Sequence, residues 1–409
     1  MGRLANRFDD LLNQAEEGEL IDAVNYEEID LDDVVEIALE TLEGKSHHLD
    51  LIDKEIERID QEGEAVSVES FSEEFITFLD DAGVANEFSL ESISTEARVG
   101  GVTNVLQRMW QVYFLDFLTT FDWVSDLVKS SSKRVGKYRD RIDVSRRKFN
   151  KKKPGLDQDK QKASYAQLHN YWVNEDGFIK DPFGQLKEEE RVAKYVLFTY
   201  PENVAKEMKA LGDVAKRAKF SDSEDYEKTV LKPLTGKRHP VELFDNKLLG
   251  GRPYMLNTGF SLSGKKVTEG NVLQRLAARR KVKVSKRLYG LSANSLVPRI
   301  IPDVEMTNRE IEQLFDIGDD FLGMTEEYLR NTDRMKREIG VLKTALESLL
   351  SEAKKDGDKT TQSEVKQIGR YAKTLVDCYW APSVKMSKRN IDIVKGVAYL
   401  ANRLVAYSK

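Results

Sequence analysis

The sequence has 409 residues, of which 40% are hydrophobic and 33% charged, with a formal net charge of -6. That length suits two or three domains, and that apolar share supports a buried core, so a globally disordered chain is excluded. A single Cys excludes a disulfide framework and a Cys-based zinc site, and four His leave little for a His-rich metal centre. No Pro precedes Pro154, which leaves long stretches free to be helical. The expectation is a mainly α protein of a reducing compartment.

The near-neutral total hides a division. Residues 1–96 hold 29 Asp and Glu against five Lys and Arg, a net -24, whereas residues 97–409 carry +18. Such asymmetry points to polyanion binding by the basic part, masked or regulated by the acidic part. The start meets Asp9 and Asp10 before any apolar run develops, which does not suit a signal peptide. Asn6 stands where a myristoylation motif wants Ser or Thr.

Helical spacing begins with Leu4, Phe8, Leu11 and Leu12, resumes at Val34, Ile37, Leu39 and Leu42, and continues through Leu49, Ile52, Ile56 and Ile59. The polar faces are nearly all carboxylates, and isolated helices of this kind are marginal without something to pack on. From Gln61 to Gly101 the pattern weakens into a Gly- and Ser-containing connector. Thr103 to Asn150 reads as one long helix or two joined end to end. Its first half carries Leu106, Trp110, Phe114, Phe117, Phe121 and Val124 on a broad apolar face, the spacing of core rather than of a base-stacking platform. Charges such as Arg108, Asp116, Asp122 and Asp126 interrupt that face's surroundings and argue against a membrane span. The second half turns basic, and Lys153-Pro154-Gly155 ends it.

Residues 156–303 read as a mixed segment. Trp172 to Phe183 is loop-like, and two amphipathic helices follow, over 186–199 and 201–220. Residues 243–268 hold the expected β content, a hairpin turning at Asn257-Thr258-Gly259. The segment 304–409 returns to helix. Thr307-Asn-Arg-Glu310 is a capping box, and three further apolar stripes run over 335–350, 365–379 and 391–404. The expected organisation is an acidic helical segment (1–96), a long aromatic-then-basic helix (97–155), a mixed region with one small β-hairpin (156–303) and a helical bundle (304–409).

Catalytic motifs are weak. Gly259-Phe-Ser-Leu-Ser-Gly264-Lys265-Lys266 approaches a phosphate loop, but Lys266 occupies the position of the Mg²⁺-holding hydroxyl. Asp356-Gly-Asp-Lys-Thr opens like a calcium loop, yet Thr361 sits where Gly is required. Cys378 lies in an apolar helix with no His nearby in sequence, the setting of a buried structural thiol. No cofactor and no enzymatic site is expected.

Two basic tracts stand out. Residues 133–153 hold eleven Lys or Arg against two Asp, among them Arg139, Arg141, Arg146, Arg147, Lys148, Lys151, Lys152 and Lys153. Residues 270–290 hold Arg275, Arg279, Arg280, Lys281, Lys283, Lys286 and Arg287 and no acid. Lys and Arg in such runs bind phosphates through counterion release without sequence specificity, and sparse aromatics favour backbone contact over base stacking.

Between the acidic and basic parts lie Ser67-Val-Glu69, Ser89-Leu-Glu91 and Ser94-Thr-Glu96, the last followed by Ala97. This combination resembles the internal head proteins of phiKZ-like giant phages, whose propeptides a prohead protease removes after a Ser/Ala/Gly-x-Glu motif. The resemblance covers the chain as organisation, and only about three residues at each motif. It implies a non-enzymatic virion protein, made in the host cytoplasm and lodged in the phage head. Its implied partners are the prohead protease, packaged double-stranded DNA and other internal head or capsid proteins, with no membrane. A cut after Glu96 would separate -24 from +18; a cut after Glu91 would leave +17, and one after Glu69 would leave +11. Two rival readings stay open: a cellular or early-phage nucleic-acid-binding protein with a permanent acidic autoinhibitory arm, and a nucleic-acid-processing enzyme.

Overall fold

The computed structural model describes residues 31–62, 71–81, 93, 101–153, 160–164, 173–174, 177–178, 182–217, 258–263, 283–288, 303–356 and 359–406. Nine helices dominate these residues: α1 (Leu31–Glu62), α2 (Glu73–Asp81), α3 (Val102–Ser130), α4 (Val135–Lys152), α5 (Pro182–Lys194), α6 (Tyr200–Arg217), α7 (Asn308–Arg330), α8 (Thr332–Asp356) and α9 (Lys359–Ala406). The expected mainly α fold class holds.

The helix α9 organises the rest. At 48 residues it is about 72 Å long at 1.5 Å per residue, and no residue from Ile368 to Ala401 is exposed. A helix buried on most of its circumference, with only a half-buried stripe over 377, 385, 388, 392, 395 and 399, must have others packed around it. Here α1, α4, α6, α7 and α8 all pack against it. The sequence marked 365–379 and 391–404 as separate stripes, and the structure joins them. Pro382 lies inside the helix and removes one intrahelical donor. Surrounding packing holds the helix through it, and the Ser383 hydroxyl donates to the Val196 carbonyl of a neighbouring element at 3.0 Å.

The aromatic face of α3 is core, as its spacing predicts. Trp110, Phe114, Phe117 and Phe121 have no exposed surface, with Trp110 stacked on Phe114 at 4.9 Å between ring centroids. A 3₁₀ turn over Ser131–Arg134 links α3 to α4, so the long helix is two joined end to end. The helices α5 and α6 are joined by a π-helical turn, Tyr195–Thr199. The capping box is formed: the Thr307 side chain accepts from the Glu310 N–H at 3.2 Å, and Glu310 Oε2 accepts from the Thr307 N–H at 2.7 Å.

The β content is wider than expected and turns elsewhere. Strand β1 (Lys160–Ser164) pairs antiparallel with β6 (Asp303–Thr307), β2 (Val173–Asn174) with β3 (Gly177–Phe178), and β4 (Thr258–Ser263) with β5 (Lys283–Leu288). Thr258 and Gly259 are therefore strand residues rather than a turn, with Thr258 opposite Leu288 and Gly259 opposite Arg287. The same pairing places the start of the phosphate-loop-like sequence in a ladder. The tight hairpin is β2–β3, inside the stretch that reads as loop.

The segments marked out in the sequence share one apolar cluster, with side chains from Val35 of α1 to Leu404 of α9. The acidic α1 enters it deeply: Val34, Val35, Ala38, Leu42, Leu49, Ile52 and Ile56 are fully buried, chiefly against α3, with α9 beyond. The stripe at Leu4 to Leu12 lies outside the described residues.

Two helical glycines separate packing from propensity. A Cβ on Gly369 would meet Trp110 Cη2 at 2.7 Å, whereas one on Gly340 would meet nothing within 4 Å. Gly369→Ala should lower stability by about 1–3 kcal/mol through overpacking. Gly340→Ala should raise it by about 0.5–1 kcal/mol through helix propensity. Urea midpoints of the two variants should therefore move in opposite directions.

Candidate nucleic-acid interface and the seat of the acidic helix

The first basic tract is mostly α4, and its helical geometry divides it into rows. Val135, Tyr138, Ile142, Ser145 and Phe149 are buried. Arg139, Arg146 and Lys153, each seven residues apart, meet carboxylates of α7 that are also seven apart. Arg139 pairs with Glu326 at 3.3 Å, Arg146 with Asp319 at 2.7 Å, and Lys153 with Glu312 at 2.5 Å. A second contact runs from Arg146 to Asp316 at 3.3 Å. Antiparallel helices keep such a register over several turns, so this row serves the fold.

The outward row consists of Lys137, Arg141, Lys148, Lys151 and Lys152, exposed along with Val144. Their positions follow one face for about 22 Å of helix, at 1.5 Å per residue. Arg147 is exposed beside them and donates to the Asp143 carbonyl at 3.3 Å. Arg141 also lies over the Tyr138 ring at 5.4 Å, and Lys395 of α9 reaches the same ring at 5.4 Å. The positive surface therefore extends from α4 toward α9. Of the residues singled out in the first tract, Arg141, Arg147, Lys148, Lys151 and Lys152 face solvent. Arg139, Arg146 and Lys153 are bound to α7.

The second tract is described only at β5. In the β4–β5 ladder Lys283 is paired with Ser263, Lys286 with Phe260 and Arg287 with Gly259, and β5 lies against α9. Arg275, Arg279, Arg280 and Lys281 lie outside the described residues, as do the cleavage-motif residues Glu69, Glu91, Ser94, Glu96 and Ala97. Their neighbours are anchored: Phe71 and Ile93 are buried, and Gly101, with φ of 83°, begins α3.

The cations of α9 were not singled out from sequence, and they define where α1 sits. Lys388 pairs with Glu36 at 3.6 Å, Lys385 with Glu43 at 2.6 Å, and Lys373 with Asp50 at 3.1 Å. Arg370, only 4% exposed, binds Asp53 and approaches Glu57 at 3.7 Å. Glu36, Glu43, Asp50 and Glu57 repeat every seven residues, the spacing that keeps one helix face on a partner. Burial opposes the charge of Lys373, but Asp377 and Asp50 outweigh it and hold its pKa above the ordinary lysine value. The sequence signal was present as basic residues interrupting an otherwise apolar stripe.

No arrangement for chemistry emerges among the described residues. Burial pushes the Cys378 thiol up to about 12, far from a reactive thiolate. The fully buried Arg389–Glu189 pair is bidentate, at 2.8 and 3.1 Å, and joins α9 to α5. No cluster of three or more His, Cys, Asp or Glu is placed to hold a metal ion, and no helix is long and apolar enough to cross a membrane, among the described residues. No protein-family model, curated protein or solved structure matches the chain.

Two predictions follow from these contacts. Arg146→Met should lower stability in urea with little effect on polyanion binding, because Arg146 is held against Asp319 and Asp316 of α7. Lys148→Met should do the reverse. The second concerns His48, which packs 4.8 Å from Phe78 and 6.3 Å from Tyr113. Burial, then Lys45 and His47, lower its pKa from 6.5 against the opposing pull of Asp116. The folded state therefore binds fewer protons at His48 than the unfolded chain does. Its contribution is complete above the unfolded value and is lost as pH falls toward the folded one. Melting temperature should drop more between about pH 7.5 and 5.5 in the natural chain than in His48→Gln.

Proposed function

We propose that the protein is a non-catalytic structural component of a phage head interior, made with an acidic N-terminal segment and cut in the connector after a Ser-x-Glu motif. It lies against packaged double-stranded DNA through the outward row of α4. The observation that carries this reading is the division of the basic tract. One row is bound to α7, and Lys137, Arg141, Lys148, Lys151 and Lys152 are exposed together on another face of the same helix. A row of cations on a rigid helix suits sequence-independent phosphate contact. The charge division at the connector and the three Ser-x-Glu tripeptides support the processing step. A retained position for the acidic helix favours a second reading, a nucleic-acid-binding protein whose acidic segment is permanent, because α1 packs into the core.

The full chain should bind a 20–30 bp duplex at low salt. With about five phosphates contacted, log K should fall with log salt at a slope near -4 to -5. Replacing all five outward residues with Gln should abolish binding, while Arg139→Gln should leave the slope unchanged. Absence of binding at ~50 mM salt would defeat the DNA-facing role. Intact-mass measurement of particle-derived protein tests processing separately. A chain starting at Ala97, Ser92 or Ser70 is expected, and an exclusively uncut Met1 form would sink it.

A further inference from the structure

The acidic segment looks detachable in sequence because it is separated by a connector and differs so strongly in charge. Its seat says otherwise. We infer that a cut after Glu69, Glu91 or Glu96 leaves α1 bound between α3 and α9, so that processing yields a two-piece protein and keeps the acidic helix in place. Hydrolysis adds one water across a connector amide, giving a carboxylate and an amine, and breaks none of the contacts that hold α1.

Three observations converge on retention. First, the apolar stripe from Val34 to Ile59 extends through the helix with at most a few per cent exposure at its buried positions. Release would return all of it to water. Secondly, Glu36, Glu43, Asp50, Asp53 and Glu57 each meet a Lys or Arg of α9. Removing α1 would break the pairs of Arg370 with Asp53 and Glu57 and of Lys373 with Asp50, leaving Lys373 only Asp377 of its own helix. Thirdly, α1 has cross-links to its other neighbours: Lys45 binds Asp116 of α3, and the Ser46 hydroxyl donates to Asp377 of α9 at 3.2 Å. A freed α1 would also be a lone amphipathic helix with little stability in water.

The groove is thus a helix-in-groove site whose ligand is an acidic helix with an apolar stripe and a carboxylate at every seventh position. The charge separated at the cut is not the charge released. Most of the acid on α1 that faces α9 stays with the body. The inference rests on the processing reading only for the identity of a natural protease.

The test uses the full chain with a sequence-specific protease site, flanked by Gly and Ser, inserted after Glu96. After complete cutting on a denaturing gel, both pieces should co-elute in equal amounts at the volume of the uncut protein. They should separate only in denaturant. An N-terminal piece that elutes alone at physiological salt would overturn the inference. In the same insert, Asp50→Asn with Asp53→Asn should speed dissociation of the piece by at least about tenfold; an unchanged rate would remove the ion pairs from the argument. If particle-derived protein proves uncut, the processing reading fails while co-elution after the engineered cut still stands. If processing occurs but only the body is recovered, retention fails alone.

Discussion

The packing of the described helices depends on a row of cations placed on a helix that is buried or half-buried along most of its length. Arg370, Lys373, Lys385, Lys388 and Arg389 occupy positions of α9 where neighbouring side chains are almost wholly buried. A buried charge without a partner is among the most costly defects a fold can carry. The cations therefore dictate what covers them. Glu189 of α5 meets Arg389, and the acidic face of α1 covers the others. Carboxylates that look like a surplus in the sequence are thus the counter-charges of a core helix. The apolar stripe of α1 and its acidic stripe act together: one gives area, the other gives register and orientation.

The same device recurs where helices meet elsewhere. Arg139, Arg146 and Lys153 of α4 match Glu326, Asp319 and Glu312 of α7. Between α3 and α8, Lys129 pairs with Asp333 at 2.5 Å and Lys336 with Asp126 at 2.5 Å, while Lys343 donates to Thr119 at 2.7 Å. The α4–α7 partners step by seven in opposite directions, and the α3–α8 partners by three and then seven. Exposed members of such pairs contribute little each. Between α3 and α8, where the signs alternate, a slip of three residues would set Lys129 against Lys336 or Asp126 against Asp333; between α4 and α7 a slip would break three pairs at once. Specificity of packing is the larger part of what these rows add, beside a small gain in stability.

Much of the fold was legible because local chemistry and tertiary need agree. Thr307 and Glu310 cap α7 in the geometry their spacing predicts, Pro154 follows the end of α4, and the aromatic face of α3 is core. The failures have specific causes. The stripes over 365–379 and 391–404 read as separate because the local pattern lapses between them, around Pro382; packing around α9 carries one helix through. The β pairs join residues far apart in sequence, as in Lys160 with Thr307, and no short-range turn signal reports that. In the candidate interface the basic residue types were visible, but their allocation was not. The sevenfold spacings of 139, 146, 153 and of 312, 319, 326 are both in the sequence. Only the pairing of α4 with α7 turns them into one ladder and leaves the other row outward.

That allocation changes what net charge means for this chain. A polyanion at the surface responds to the cations that remain solvent-facing and to the local field around them. It responds little to cations whose carboxylate partners are fixed a few ångströms away. The +18 of residues 97–409 includes Arg370, Lys373, Lys385 and Lys388, which α1 already neutralises, so the bare sum overstates what the body presents with α1 in place. The outward row of α4 is a smaller quantity, and it is independent of whether the connector is cut. Its five side chains share one rigid face, so they can engage adjacent phosphates together without first being ordered. Flexible cations of equal number would lose side-chain and backbone entropy in the same act. The inner salt-bridge ladder also fixes the helix that carries the outward row: loosening the α4–α7 register would displace those five side chains without altering one of them.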